Sequence, residues 1–158
     1  MKQDEEQKKV GVTAEAAYVY HNKPIPGKYE TVPSKDLTTR EHLSLGYTPG
    51  VVYPCLEIIK DPDQAYNYTN KSNTVCVISN GTAVLGLGNL GALASKPVME
   101  GKAVLMKNFG DVDCVDLNVN TTDVNELIDC IKLLGAPYGG INLEDIRGPD
   151  CFYVEKKL

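Results

Sequence analysis

The chain has 158 residues, of which 42% are hydrophobic and 23% are charged, and its net charge is −5. This length and composition are typical of one globular domain with a buried core, and they exclude a chain that is disordered throughout. The acidic balance and the lack of an apolar run of about 18 residues argue against nucleic-acid binding and against a membrane span.

Five cysteines are scattered along the chain, and no two of them have the C-x-x-C spacing of a zinc ribbon. Their odd number and irregular spacing do not suit a disulfide framework. The amino terminus, MKQDEEQKK, is charged and lacks the apolar stretch of a secretory signal. We therefore expect free thiols in a reducing compartment and a cytoplasmic protein.

The first third of the chain reads as a charged tail followed by short helices. Residues 1–9 are the tail, and the three prolines within 24–34 indicate an extended or loop segment. A short helix is predicted from Thr39 to Gly46. Asp61 is expected to cap a further short helix. Between them, one face of a helix is predicted from the spacing of four residues: Val51, Cys55, Ile58 and Ile59.

Two apolar, β-branched runs lie in the middle of the chain, at 74–79 and 82–87. Asn80-Gly81 between them predicts a β-hairpin. A helix is expected over 89–109, with an interruption near Lys96-Pro97.

The last third alternates between strand and helix patterns. A strand is predicted at 113–119 and a shorter one from Tyr138 to Asp145. The clearest helix runs from Thr122 to Leu134, and another begins at Asp150. Because strands alternate with helices, the predicted fold class is α/β.

The motif GLGNLG at 86–91 matches the G-x-G-x-x-G pattern of dinucleotide-binding turns. That site also needs an acidic residue at the end of the next strand, and the acids here precede strand 113–119. The alternative is a glycine-rich turn in which a strand and a helix pack closely.

Glu144 and Asp145 close a short apolar strand, where α/β folds place ligands. Their oxygens suit Mg²⁺ or Mn²⁺, and the alternative is a helix cap or a solvated corner. Lys102 lies on a partly apolar helix face, either as a base or with its ammonium reaching water. Tyr47 precedes Thr-Pro-Gly and could simply pack against a loop.

Five stretches then carry a resemblance to a known family: YHNKPIPGKYE (20–30), LGYTPGV (45–51), LEIIKDPDQAYNYT (56–69), SNGTAVLGLGNLGALASKPVMEGKAVLMK (79–107) and GGINLEDI (139–146). Together they resemble the N-terminal domain of malic enzymes in the short bacterial form. The resemblance implies a tail and lead-in over 1–17 and one domain over 18–158. It also implies an α/β fold with a mixed sheet and flanking helices.

The resemblance further implies oxidative decarboxylation of (S)-malate to pyruvate and CO₂ with NAD or NADP and Mg²⁺ or Mn²⁺. It makes Tyr47 and Lys102 catalytic residues and makes Glu144 and Asp145 metal ligands. It also identifies GLGNLG as the turn before the lysine helix, not as a cofactor fingerprint. Family members commonly form homodimers, so we expect one here.

The sequence departs from this family after residue 146, because it lacks the third metal-binding aspartate and the NAD(P)-binding domain. We therefore expect the isolated chain to be inactive and the cofactor to be bound by a domain outside these 158 residues, either in the same protein or in a separate chain. Two rival interpretations remain. One is a non-catalytic interaction or regulatory domain that retains the fold, and the other is a nucleotide-binding module built on GLGNLG.

Overall fold

The computed structural model describes residues 11–158, so the predicted tail at 1–9 lies outside the described residues. We divide the described chain into an N-terminal segment, residues 11–73, and a core unit, residues 74–158. The N-terminal segment contains four α-helices and two 3₁₀ turns: α1 (Ala14–Asn22), α2 (Arg40–Gly46), α3 (Val52–Lys60), the turn Pro62–Gln64, α4 (Ala65–Tyr68) and the turn Asn70–Ser72.

Two short elements of the N-terminal segment, α2 and the turn Pro62–Gln64, begin at the polar caps that the sequence predicts. The Thr39 hydroxyl accepts a hydrogen bond from the His42 N–H at 3.1 Å, and the Asp61 carboxylate accepts one from the Asp63 N–H at 3.1 Å. α3 covers the predicted apolar face. Nevertheless, none of residues 11–73 is buried.

The core unit alternates strands and helices, which confirms the α/β class: β1 (Thr74–Ser79), α5 (Gly91–Gly110), β2 (Asp113–Asn118), α6 (Val124–Leu134), β3 (Gly140–Leu143) and α7 (Asp150–Lys157). The strand order is β2-β1-β3, and β1 pairs in parallel with both neighbours. The three described strands therefore form a parallel sheet, and the expectation of a mixed sheet was wrong.

The predicted hairpin between 74–79 and 82–87 does not form, because β1 is the central strand and both its edges are already paired. Residues 82–90 instead form a loop, closed by the N–H groups of Leu90 and Gly91. Both donate to the Gly81 carbonyl, at 2.9 and 3.1 Å. Gly81 does adopt the positive φ of a tight turn, +66°. The local turn signal was correct, but the strand after it was not.

The interruption predicted near Lys96-Pro97 is also absent, since α5 continues through Pro97. Proline cannot donate to the carbonyl of Leu93, four residues earlier. Leu93 is 86% exposed, so this turn of the helix is open to water. Water can donate to the Leu93 carbonyl in place of the N–H group that Pro97 lacks.

Helices cover both faces of the sheet. On one face, Cys76 and Ile78 of β1 join a buried cluster with residues of α6 and α7: Leu127, Ile128, Ile131 and Val154. Buried residues of α5 lie outside that cluster: Ala92, Ser95, Met99 and Ala103. The crossovers β1-α5-β2 and β2-α6-β3 run in opposite directions across the sheet. Right-handed connections therefore place α5 and α6 on opposite faces.

Candidate active site

We call the carboxyl edge of the sheet between β1 and β3 the crevice. The chain leaves β1 toward α5 on one face and leaves β3 toward α7 on the other. Neighbouring strands whose connections part in this way create the usual ligand-binding point of open parallel sheets. Glu144 and Asp145 stand at this point, directly after β3, and the Glu144 N–H donates to the Ile78 carbonyl at 2.9 Å.

Hydrogen bonds tie the two loops of this crevice together. The Ala83 N–H donates to the Asp145 carbonyl at 3.0 Å, and the Arg147 N–H donates to the Thr82 hydroxyl at 3.0 Å. Thr82 is itself buried, and its hydroxyl donates to the Asn80 side chain at 2.7 Å. The residues after β1 thus fix the backbone that presents the acidic pair.

Lys102 of α5 reaches this acidic pair. Its Nζ lies 3.1 Å from Oε2 of Glu144, with the lysine side chain 35% and the glutamate side chain 23% exposed. The amide of Asn142 donates to the same glutamate oxygen at 3.0 Å. The structure therefore brings Lys102 and Glu144 together, although 42 positions of sequence separate them.

Asp145 has two features that mark a functional position. Its backbone is left-handed, with φ +50°, which is uncommon for a residue other than glycine. Its Oδ2 atom is buried without a hydrogen-bond partner. Burial raises the pKa of Asp145, the charge of Glu144 raises it further, and Lys102 opposes both. The pair is half-buried and caps no described helix, so the alternatives of a cap or a solvated corner do not describe it.

The chemistry of these two carboxylates fits a divalent cation. Both present hard oxygen ligands, and the unpartnered Oδ2 of Asp145 would gain a partner. Within residues 11–158, no group of three or more His, Cys, Asp or Glu side chains is placed to hold a metal ion. A site at Glu144 and Asp145 therefore needs further ligands from outside the described residues or from substrate or water.

Tyr47 is not part of this crevice in a single copy of the chain. It follows α2 in the N-terminal segment, and its side chain is 70% exposed. Among the described residues, its hydroxyl forms no hydrogen bond with Lys102, Glu144 or Asp145. Within residues 11–158, the structure thus brings three of the four predicted site residues together and shows no hydrogen bond between them and Tyr47.

Sequence reasoning missed Asn142, the residue that orients Glu144. A signal for it existed, because residues two apart in a strand point to the same side. Asn142 stands two residues before Glu144, and an amide there can donate to that carboxylate.

The motif GLGNLG is the last part of the loop between β1 and α5, the helix that carries Lys102. It therefore lies within a β-α-β unit, the context that a dinucleotide site requires. β2 ends at Asn118, however, and the nearest acid, Asp116, is already saturated. Its carboxylate accepts hydrogen bonds from Tyr29, Lys96 and Asn118. No free carboxylate remains at the end of β2 to bind a ribose.

Within residues 11–158, no helix combines the length and the apolar character that crossing a membrane requires.

Residues 26–158 match the malic enzyme N-terminal domain family. The NADP-dependent malic enzyme of Rhizobium meliloti is 58% identical over 147 residues, which are 93% of this chain and 19% of that protein. An NAD-dependent malic enzyme of the same organism is 51% identical over 142 residues, which are 90% of this chain and 18% of that protein. The chain thus spans about a fifth of the length of these curated relatives.

The fold agrees with these matches. The crystal structure of a malic enzyme from Pyrococcus horikoshii superposes with a TM-score of 0.88 at 49% sequence identity, covering 91% of this chain and 34% of that one. The family match, the sequence identities and the superposition all cover the crevice and the helix that carries Lys102. This chain belongs to the malic enzyme N-terminal domain family.

Proposed function

We propose that this chain is the substrate- and metal-binding part of an NAD(P)-dependent malic enzyme, which converts (S)-malate to pyruvate and CO₂. The observation that carries the proposal is the convergence of Lys102, Glu144 and Asp145 in the crevice between β1 and β3. An amine can accept the hydroxyl proton of a 2-hydroxy acid, and two carboxylates beside it can hold a divalent cation.

Lys102 is the proposed base. Oxidation at C2 of malate requires the hydroxyl proton to leave, and an amine accepts that proton only in its neutral form. Glu144 and Asp145 would hold Mg²⁺ or Mn²⁺, and such an ion would supply positive charge to polarise an oxygen of the bound substrate. Asn142 keeps the Glu144 carboxylate directed toward the lysine.

Tyr47 is the proposed acid for the last step. Loss of CO₂ leaves the enolate of pyruvate, and its carbon takes up a proton to give the methyl group. A phenol, with an ordinary pKa of about 10, is a suitable donor in this step, and a nearby lysine can return the proton.

We further propose a homodimer in which Tyr47 of one copy completes the crevice of the other. The support is the exposed apolar surface of the N-terminal segment, where several large side chains are at least two-thirds exposed, among them Tyr18, Leu45, Tyr53 and Ile59. Exposed apolar surface of this extent usually marks an interaction site. Burying it against a second copy would also bring the exposed Tyr47 next to another molecule.

A separate domain supplies the coenzyme in this proposal. NADP-dependent and NAD-dependent relatives both match this part of the sequence, so the choice of coenzyme lies outside it. All five cysteines are free thiols, which supports a cytoplasmic protein. The rival interpretation, a non-catalytic interaction domain, does not explain why Lys102 meets the acidic pair.

A domain replacement tests the proposal. Residues 18–158 would replace the corresponding residues of the Rhizobium meliloti NADP-dependent malic enzyme. We expect this chimera to form NADPH from malate and Mn²⁺. A matched chimera with Lys102→Ala should lose about 100- to 10,000-fold in kcat. A chimera that folds and binds NADP without oxidising malate would contradict the proposal, and so would full activity of the Lys102→Ala variant.

A further inference from the structure

One cluster of charged and polar side chains lies outside the crevice and has no part in the chemistry above. Its centre is Asp116 of β2, whose side chain has no exposed surface. Lys96 Nζ donates to both carboxylate oxygens, at 2.9 and 2.8 Å, and Asn118 donates at 2.7 Å. The fourth hydrogen bond comes from the Tyr29 hydroxyl at 2.5 Å.

The four hydrogen bonds stabilise the charged form of Asp116. Burial alone would raise the pKa of this carboxyl, but the hydrogen bonds from Lys96 and Tyr29 hold it below its usual range. Hydrogen bonds to a buried charge are stronger than those between neutral groups. The hydrogen bond from Tyr29 to Asp116 is therefore expected to be stronger than a hydrogen bond between two neutral groups.

Tyr29 differs from the other members of the cluster because it lies in the N-terminal segment, whereas Lys96 and Asp116 lie in the core unit. Among the described residues, every hydrogen bond and ion pair that joins residues 11–60 to the core unit comes from Lys28 or Tyr29. The Lys28 ammonium donates to the Pro97 carbonyl at 2.8 Å, one residue after Lys96. Gly27 lies beside the Glu100 carboxylate, 3.7 Å from where a Cβ would stand. Residues 27–29 thus follow one face of α5, the helix that carries Lys102.

We propose that the cluster of Tyr29, Lys96 and Asp116 is the anchor that positions residues 11–60, and with them Tyr47, for catalysis. This inference rests on the proposed function, because it treats Tyr47 as the acid of that reaction. Tyr29 and Lys96 are positioning residues that do not touch the substrate.

The chain between Tyr29 and Tyr47 limits how far Tyr47 can move when Tyr29 is held in place. Pro33 limits the backbone after the anchor, and the capped helix α2 leads directly to Tyr47. Lys96 and Lys102 share the rigid helix α5, so the anchor and the proposed base keep a constant separation. Loosening Tyr29 would change where Tyr47 can reach without moving Lys102.

Tyr29→Phe is the mildest test, since it removes one hydroxyl and leaves Asp116 with three donated hydrogen bonds. In the active chimera, we expect kcat to fall about tenfold, the loss expected for one hydrogen bond to a charge. KM for malate should stay within about twofold, because the variant leaves substrate-binding groups in place. Tyr153→Phe is the matched control, because no described hydrogen bond uses its hydroxyl.

A double-mutant cycle separates positioning from general weakening of the structure. If Tyr29 acts through Tyr47, adding Tyr29→Phe to Tyr47→Phe causes no further loss in kcat. Additive losses would overturn the anchor. If Tyr47→Phe alone is silent, the assignment of Tyr47 in the proposed function fails. If Tyr47→Phe loses activity and Tyr29→Phe does not, only the anchor fails.

Hydrogen exchange in the 158-residue chain gives a readout that needs no activity. We expect Tyr29→Phe to speed amide exchange at least about tenfold across the Gly27 N–H and its neighbours, while exchange in β1 stays unchanged. Tyr153→Phe should leave both regions unchanged. Unchanged exchange near Gly27 in the Tyr29→Phe chain would overturn the proposal, even if the chimera were inactive for other reasons.

Discussion

The N-terminal segment and the core unit differ in how they use apolar residues. In the core unit, Ile78, Leu127 and Ile131 are at most 1% exposed and lie in one cluster. In the N-terminal segment, Leu45 and Ile59 are 67% and 77% exposed, and none of residues 11–73 is buried. The two regions have similar helical patterns, but only one of them covers its own apolar faces.

The two regions therefore differ in the contacts that stabilise them. The core unit has a cluster that excludes water, so its folding depends mainly on its own contacts. The N-terminal segment has short, well-capped helices, and isolated helices of this length are marginal in water. Lys71 and Asn73 bond the end of the segment to the core unit. We infer that residues 11–60 obtain their tertiary contacts from the anchor at Tyr29 and from a second copy of the chain.

The largest effect should come from mixing two inactive variants of the chimera. Tyr47→Phe and Lys102→Ala homodimers each lack one reacting group at both crevices. If Tyr47 acts across the dimer, equal mixing after subunit exchange restores about a quarter of wild-type activity, since half of the dimers are mixed and each has one intact crevice. Steady-state NADPH formation measures this. No recovery after proven exchange would show that Tyr47 acts within its own copy.

A matched pair of isoleucine truncations should separate the two regions. Ile131→Ala removes a side chain that is 1% exposed, so we expect it to lower the free energy of unfolding by about 2–5 kcal/mol. Ile59→Ala, in α3, should change it by less than about 0.5 kcal/mol in dilute solution. Urea denaturation measures both.

Ile59→Ala should also change how strongly the chain associates. Ile59→Ala should weaken dimerisation in sedimentation experiments, whereas Leu133→Ala, 82% exposed on α6, is a control for exposed leucines of the core unit. Equal destabilisation of the dilute chain by Ile59→Ala and Ile131→Ala would contradict the distinction between the regions.

Asp145→Asn should stabilise the chain slightly while weakening the crevice as a metal site. Because the pKa of Asp145 is raised on folding, the folded chain loses stability as pH rises through the carboxyl range and the group ionises. Removing the charge removes that loss, and asparagine tolerates the left-handed backbone. We expect a gain of less than about 1 kcal/mol at pH 7 and almost none near pH 3.

Thermal unfolding at the two pH values measures this gain, and Mn²⁺ titration reports the accompanying loss of affinity. Glu144→Gln is the matched comparison. A stabilisation of Asp145→Asn that is as large at pH 3 as at pH 7 would show that charge is not its cause.

The smallest expected effect concerns the loop GLGNLG. Titrating NAD or NADP into the 158-residue chain should produce no heat of binding at millimolar coenzyme, because Asp116 is fully engaged at the end of β2. Calorimetry with the chimera, which includes a coenzyme domain, is the positive control. Saturable binding by the chain alone would favour the nucleotide-binding interpretation.

Local patterns were sufficient for much of the core unit. The apolar spacing that predicted a helix from Thr122 to Leu134 matches α6 (Val124–Leu134), and Gly135 follows it as predicted. The strand expected at 113–119 matches β2 (Asp113–Asn118). These elements agree with their patterns because each buries the face that the pattern describes.

The hairpin failed because a turn signal does not specify a strand's neighbours. Asn80-Gly81 does turn, but β2 and β3 occupy both edges of β1, and no local pattern records that. Pro97 failed as a helix breaker because the affected turn faces water. Both errors arise from contacts or exposure set by residues far away in the chain.

The amino-acid sequence by itself determined which segments of the core unit are helices or strands, and its motifs indicated the family and four candidate residues. The tertiary structure decided that β1 is central, that Lys102 meets Glu144 and Asp145, and that Tyr47 stands apart from them in one copy. The physical reason is the distance along the chain over which each interaction acts. Helix periods, caps and turns depend on residues only a few positions apart. Strand order and a site built from three elements depend on burial and charge contacts between distant parts of the chain.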